Sequence, residues 1–337
     1  TLLAASLALT GIPSPAAAAA TAPPRVVINE ILYHPPDDRD ELQWVELFNA
    51  GDTPVDLQGW SFQKGLRFTF TNRTELQPGK ALVVSRDRGA FVIRYGTDIA
   101  VHGDFAGRLS HGGEKIELVD ARSQLVDSVR FDDTPPWAVS PDGMGPSLER
   151  IVPTGPGDDP ANWAPSPMPE TDRAAGTPGE INAAAGTNQP PQVTGLRLST
   201  AAPGQPLPVS IQAADPDGVR DATLQFMVLS LADPRRSAEW RDLPLTRSGG
   251  TDTQATFSAA IPGQAEGSLI RARVRVTDGS GTVAIHPHPH DARPTASAYV
   301  GGNTNGAAIP FAFLAEFGGR EAPGRSVATH FRELRRG

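Results

Sequence analysis

Apolar residues in this chain come in short runs separated by turn residues, with Phe91 to Tyr95 a candidate short helical turn. The sequence holds 33 prolines and 34 glycines in 337 residues. Proline removes a backbone donor and clashes inside a helix, and glycine costs about 1 kcal/mol there, so long helices cannot be the framework. Short alternating runs between turn residues read as β-strands. The expected fold is therefore all-β. At roughly 100 to 200 residues per domain, the length argues for two modules with linkers.

Cysteine is absent, so neither disulfides nor thiolate metal sites can hold these modules, and the hydrophobic core must do so alone. The net charge of -8 lacks the basic excess that neutralising phosphates requires, which disfavours nucleic acid as a partner. The chain opens with TLLAASLALTGIPSP and then Ala16 to Ala20. A short apolar run ending in small residues has the form of the central and cleavage regions of a secretory signal, so residues 1–24 read as a partial leader. The run falls short of the ~18 residues needed to span a bilayer, and no membrane span is expected.

The first module is read over residues 25–182. Val26 to Leu32 forms a β-rich run that ends at Pro35-Pro36-Asp37-Asp38, and Trp44 to Phe48 forms a second. Val45 and Leu47 share one face of that strand, while Trp44, Glu46 and Phe48 share the other. Glu46 is the anomaly, a carboxylate between bulky apolar neighbours. Burial would raise its pKa as in a catalytic acid, yet a structural glutamate looks the same. The structural reading is favoured because no second carboxylate or histidine is placed beside it in a recognisable catalytic pattern. Asn49, Gly59, Trp60, Trp137 and Trp163 read as structural with Trp44 and Glu46. The glycine-rich segment from Gly103 to Gly113 lacks a phosphate loop's ending and is read as hairpin glycines. Glu114 to Asp120 and Leu125 to Phe131 make a hairpin by pattern.

Several motifs in this stretch carry a resemblance. Ile28-Asn29-Glu30-Ile31, Trp44 to Asn49, Asp56-Leu57-Gln58-Gly59-Trp60, Leu76 to Gly79 and Gly107 to Ser110 occur in the order seen in lamin tail domains. Ser147 to Arg150, Asn162-Trp163 and Gly176 to Gly179 resemble the extended bacterial version of that module. The resemblance implies an immunoglobulin-like β-sandwich without catalytic residues, in which Trp60 is core and Glu46 structural.

Residues 183–191 close an Ala/Gly/Pro-rich stretch and read as a linker. Residues 192–300 then alternate again, at Val209, Ile211 and Ala213, at Leu224, Phe226 and Val228, and at Ile270, Ala272, Val274 and Val276. This predicts a second sandwich, similar to immunoglobulin-like or fibronectin-like modules. Asp215 and Asp217 sit in an Asp-Pro-Asp-Gly turn that, with Asp221 or Asp278, could ligate Ca²⁺; an Asx turn is the simpler reading. Arg271, Arg273 and Arg275 line one strand face and are candidate anion contacts on what reads as a solvated surface. His286, His288 and His290, spaced by prolines, resemble a weak chelating tract or a loop.

Residues 301–337 read as linker and tail. The order of leader, lamin-tail-like module and second sandwich resembles the front of large secreted bacterial proteins that carry a CotH-type kinase domain, none of whose motifs is present here. The expected function is an exported, non-catalytic binding or structural module, secreted, periplasmic or on the cell surface, needing no cofactor and taking a protein or glycan partner. The alternative is the accessory ectodomain of a CotH-like kinase.

Overall fold

The computed structural model describes residues 25–168, 175–199, 201–230, 239–291 and 293–301. The expected leader and the expected tail after residue 301 lie outside the described residues. The first half contains β1 (Val26–Leu32), β2 (Trp44–Asn49), β3 (Val55–Asp56), β4 (Ser61–Lys64), β5 (Phe68–Thr69) and β6 (Glu75–Leu76). It continues with β7 (Ala81–Ser85), helix α1 (Arg88–Tyr95), β8 (Val101–His102), β9 (Glu114–Val119), β10 (Leu125–Phe131), β11 (Leu148–Arg150) and β12 (Trp163–Pro165). One sheet runs in the order β12-β11-β1-β2-β7-β8 and the facing sheet in the order β10-β9-β4-β5. Ile28, Ile31, Val45, Leu47 and Val84 from the first sheet meet Phe62, Ile116, Leu118 and Val129 from the second in one buried cluster, with Trp60 inside it. Each such side chain contributes about 1.5–3 kcal/mol by leaving water, which is how a cysteine-free sandwich holds.

β1 is buried along its whole length because both faces of its sheet are covered. A bulge between Ile28 and Glu30 shifts its phase against β2, so Ile28 and Ile31 both reach the core although they are three positions apart. The freed Ile28 N–H donates to Asp127 Oδ2 on β10 at 2.8 Å. Arg150 Nη1 donates to the same oxygen at 2.7 Å and to the Ile28 carbonyl at 3.0 Å, and its Nη2 donates to the Gly155 carbonyl. Its guanidinium carbon lies 5.8 Å from the Trp163 ring centre. This nearly inaccessible ion pair therefore ties the bulge, β10 and β11 together across the edge of the sandwich.

On its outer face the six-stranded sheet carries Trp44, covered by α1. Asp87 caps that helix by accepting from the Ala90 N–H, and Phe91 and Tyr95 pack edge-on against the indole. The segment from Gly103 to Gly113 does not form the expected hairpin. β8 pairs with β7 in parallel, and the segment then leaves this sheet to reach β9 in the other. Its glycines serve a crossing loop.

The second half is a separate pair of sheets, built from β13 (Gln192–Thr194), β14 (Leu207–Ala214), β15 (Val219–Ser230), β16 (Arg241–Pro244) and β17 (Thr246–Gly250). β18 (Gln254–Ile261), β19 (Ser268–Asp278), β20 (Val283–His286) and β21 (Ala296–Val300) complete it. Their orders are β13-β14-β18-β17 and β16-β15-β19-β20, with β21 also paired to β19. The alternating residues named from sequence, including Val209, Ile211, Leu224, Phe226, Ile270 and Val274, form its core. Two β-sandwiches in tandem are the architecture.

Candidate functional site

Glu46 is not alone. The strand register sets Glu30 on β1 opposite Glu46 on β2 and opposite Glu149 on β11, so three glutamates form a row across three adjacent strands. All three are inaccessible to solvent. The roof over them is a strap, residues 175–186, which crosses the outer face of the sheet and supplies donors. Glu30 Oε1 accepts from the Thr177 N–H at 2.8 Å and from the Ser147 hydroxyl. Glu46 accepts from Asn29 Nδ2 at 3.0 Å and from the Gly179 N–H at 2.6 Å. Glu149 accepts from the Ala184 N–H at 2.8 Å. Asn182 pins the strap's far side, donating to the carbonyls of Asn29 and Arg150 and accepting from Asn29 Nδ2.

The Thr177 hydroxyl lies 3.1 Å from Glu30 Oε2 and 3.0 Å from Glu149 Oε1. One hydroxyl carries one proton and can donate to only one of them, so the second contact is a hydrogen bond only if that glutamate is itself protonated. Burial acts in the same sense. It pushes Glu30 well above the usual carboxyl range, assisted by the neighbouring charges of Glu46 and Glu149. Desolvation likewise raises Glu149, and takes Glu46 from its ordinary 4.5 to about 7 against the pull of the Gly179 and Asn29 hydrogen bonds. Raised carboxyl groups are the raw material of acid catalysis, but these face a roof of backbone N–H groups and no opening. They hold the strap on the sheet.

Gly176 makes the close approach possible. Its φ is +82°, and a Cβ there would stand 2.5 Å from Glu30 Oε1 and 2.9 Å from both Ser147 Oγ and Trp44 Cζ2. Gly176→Ala is expected to destabilise the first module by about 2 kcal/mol through overpacking and left-handed strain, read as a lower urea midpoint. An unchanged midpoint would show that the strap does not rest on the glutamates.

The other residues singled out from sequence are dispersed. Asn49 is fully buried and donates to the carbonyls of Thr53 and Leu76, fixing the turn after β2. Gly59 has φ +83°, with Ala121 2.9 Å from where its Cβ would be. Trp137 and Trp163 are buried together, ring centres 6.3 Å apart. They also line a cleft of about 810 Å³, whose other wall includes Val193, Val283, Ile285 and His286. His288 lines it too, whereas the rings of His288 and His290 lie 5.6 Å apart. Burial depresses all three histidines, His288 to about 4. Among the described residues the three histidines do not come together at ligand spacing, whereas one carboxylate oxygen from each of Asp215, Asp217 and Asp278 lies within 4.8 Å of the others. Those aspartates already accept from the Asp217 N–H, Ser280 Oγ, the Thr282 N–H and Asn188 Nδ2, while Asp221 is bound to Arg220 and Thr277. Arg273 lies on the outer face of β19, donates to Gln225 and stacks 4.5 Å from the Trp240 ring centre. Arg275 beside it is exposed and Arg271 half-buried.

Part of the segment read as a linker, residues 183–191, is bonded to the first module. Ala184 is bound to Glu149 and the Gly186 N–H donates to the Ile151 carbonyl, so its first part belongs to the first module's roof. Sequence inspection also missed Glu30, Glu149 and Thr177. A signal was present in the motifs SLER and GTPGEIN, but only the strand register places their side chains beside Glu46.

Sheets and core together define a class, all-β proteins of two β-sandwiches in tandem. Within it, residues 19–133 match the Lamin Tail Domain family model. The match ends just past β10 and so leaves out β11, β12 and the strap. It points to a non-catalytic binding or structural module. Among solved structures, the chain is similar to the third fibronectin III domain of human KIAA0343 protein. The identity is 18% and the TM-score 0.18, covering 34% of this chain and 93% of that one. It is also similar to murine CRIg, at 15% identity and TM-score 0.19, covering 33% of this chain and 97% of that one. No curated protein matches. No helix among the described residues is long and apolar enough to cross a membrane.

Proposed function

We propose that this chain is an exported, non-catalytic binding or structural region of a larger secreted, periplasmic or cell-surface protein, with a protein or glycan as its partner. The observation that carries this reading is the sealed glutamate row. The group with the most enzyme-like chemistry in the first module is committed to holding a strap, and a solvent-exposed reacting atom has no approach to it. Export is supported by the leader-like sequence of residues 1–24. The cleft lined by Trp137, Trp163, Val283 and Ile285 offers apolar wall with a few polar groups, the usual make-up of a binding surface.

The labelled full chain, applied to a glycan array and to cell-envelope fractions, is expected to be retained, and Val283→Arg is expected to reduce that retention. Substrate turnover by the purified chain that disappears in Glu46→Gln would sink the non-catalytic reading. The module order favours a second reading, in which the parent protein is a CotH-like kinase and this chain its accessory ectodomain. A kinase-like domain in the reading frame after Gly337 decides for it.

A further inference from the structure

A second cluster of ionisable groups lies where the loop after β1 meets the crossing loop before β9. The rings of His34 and His111 stack there, centres 3.6 Å apart and 7° from parallel. His34 Nδ1 is 2.5 Å from Asp142 Oδ1, and His111 Nε2 is 2.8 Å from Asp40 Oδ1. Arg86 Nη1 at 3.0 Å and Arg108 Nη1 at 3.6 Å hold the other Asp40 oxygen. Each imidazole thus has one nitrogen fixed by a carboxylate. The two remaining nitrogens turn to the same atom, Asp38 Oδ1, at 2.7 Å from His34 Nε2 and 3.9 Å from His111 Nδ1.

We propose that His34 Nε2, His111 Nδ1 and Asp38 Oδ1 form a binding site for a divalent transition-metal ion of the zinc class. A carboxylate on the far nitrogen of each histidine is the outer arrangement that fixes the tautomer and presents the other lone pair to a metal. Here Asp142 and Asp40 supply it twice. The three ligand atoms lie within 4.8 Å of one another. Zinc bonds of about 2.0–2.2 Å bring tetrahedral ligand atoms to about 3.3 Å apart, so the closure required is small. Two imidazoles and one carboxylate suit zinc, nickel or iron(II), whereas calcium and magnesium prefer oxygen alone. Asp38, Asp40 and Asp142 outnumber Arg86 and Arg108, so the local field favours a cation. A nitrogen lone pair lies in the plane of its ring, so the two rings splay from parallel as the ion enters. The Asp38 side chain is 78% exposed, which leaves the ion's remaining coordination to solvent. The bound ion cross-links the loop after β1 to the crossing loop.

The test is calorimetric titration of the chelator-treated full chain with zinc sulfate, in excess calcium chloride so that any oxygen-only site such as Asp215, Asp217 and Asp278 is already filled. One equivalent of zinc is expected to bind. Asp38→Asn and His111→Ala, both near the surface, are each expected to weaken binding at least about 10-fold, and Asp142→Asn by about 10–100-fold. Unfolding curves confirm that each variant is folded. A crystal structure of the zinc-loaded chain is expected to show the rings splayed. Zinc binding that is absent, that survives both Asp38→Asn and His111→Ala in folded protein, or that is lost instead in His286→Ala or His288→Ala overturns the proposal.

Discussion

Arg150→Ala is expected to lower the first module's unfolding midpoint by on the order of 10 °C while leaving the second module's transition in place. Arg150 is 2% exposed, and its guanidinium meets Asp127, the Ile28 carbonyl and the Gly155 carbonyl at once. Removing one member of a buried pair strands the other charge and costs about 3–5 kcal/mol. A module of roughly 150 residues loses about 2–4 °C per kcal/mol. Asp127 would keep only the Ile28 N–H as a donor among these contacts, and the bulge that sets the phase of β1 would lose its anchor. Arg150→Met with Asp127→Asn is expected to recover part of the loss, because the asparagine oxygen still accepts from Ile28 and the unpaired charge is gone. Differential scanning calorimetry reads both. A shift below about 2 °C, or one shared equally by the two transitions, would mean that the ion pair is not what joins the two sheets.

The second large effect is on pH. Between its unfolded value near 4.5 and its folded value of about 7, Glu46 binds more protons in the folded state. Stability from this group is therefore complete below pH 4.5 and is lost as pH rises through 7, by on the order of 3 kcal/mol. Glu30 and Glu149 are raised as well and act in the same direction. His34 adds to it, since Asp142 and Asp38 raise its pKa despite burial, and its contribution is lost as pH rises through the folded value. In the second module, His286, His288 and His290 are depressed by burial, so they bind fewer protons when folded and stabilise it increasingly as pH climbs from about 4 towards 6.5. The two modules are thus expected to drift in opposite senses from pH 4.5 to 6.5. Amide exchange at Thr177, Gly179 and Ala184 is expected to quicken first as the row ionises, because those donors form the roof. Glu46→Gln should flatten the first module's slope. Parallel slopes in wild type and Glu46→Gln would rule out the row as the source.

The strands of the second sandwich were legible because alternation on a two-sided sandwich is a local signal, as at Val209, Ile211 and Ala213. Trp60 was placed in the core by the family resemblance and not by alternation, and it is buried there. β1 was less legible, since burial on both faces erases alternation and the bulge at Asn29 shifts what remains. Glu46 was read as structural because no second carboxylate was visible beside it, and the strand register overturns that ground by setting Glu30 and Glu149 in the same row. Glu30 and Glu149 join it through register, at sequence separations of 16 and 103 residues, and register depends on pairings that no short window contains. The strap misled for a different reason. Ala, Gly, Thr and Pro bury little apolar area, so its composition reads as linker, while what fixes it is backbone N–H groups on buried carboxylates. His34 and His111 were overlooked because they lie on separate loops and meet only where the crossing loop passes the end of β1.

The tether between the modules is held at both ends. Gly186 is hydrogen-bonded to Ile151 in the first sandwich, and Asn188 Nδ2 donates to Asp278 Oδ2 in the second at 2.8 Å. Only Thr187 stands between these anchors, a slack of about 3.5 Å per residue. A connection that short works as a ruler. If each sandwich touches its own epitope, the gain in avidity is large only for targets whose epitopes repeat at the spacing the ruler sets, and targets at other spacings are bound one module at a time.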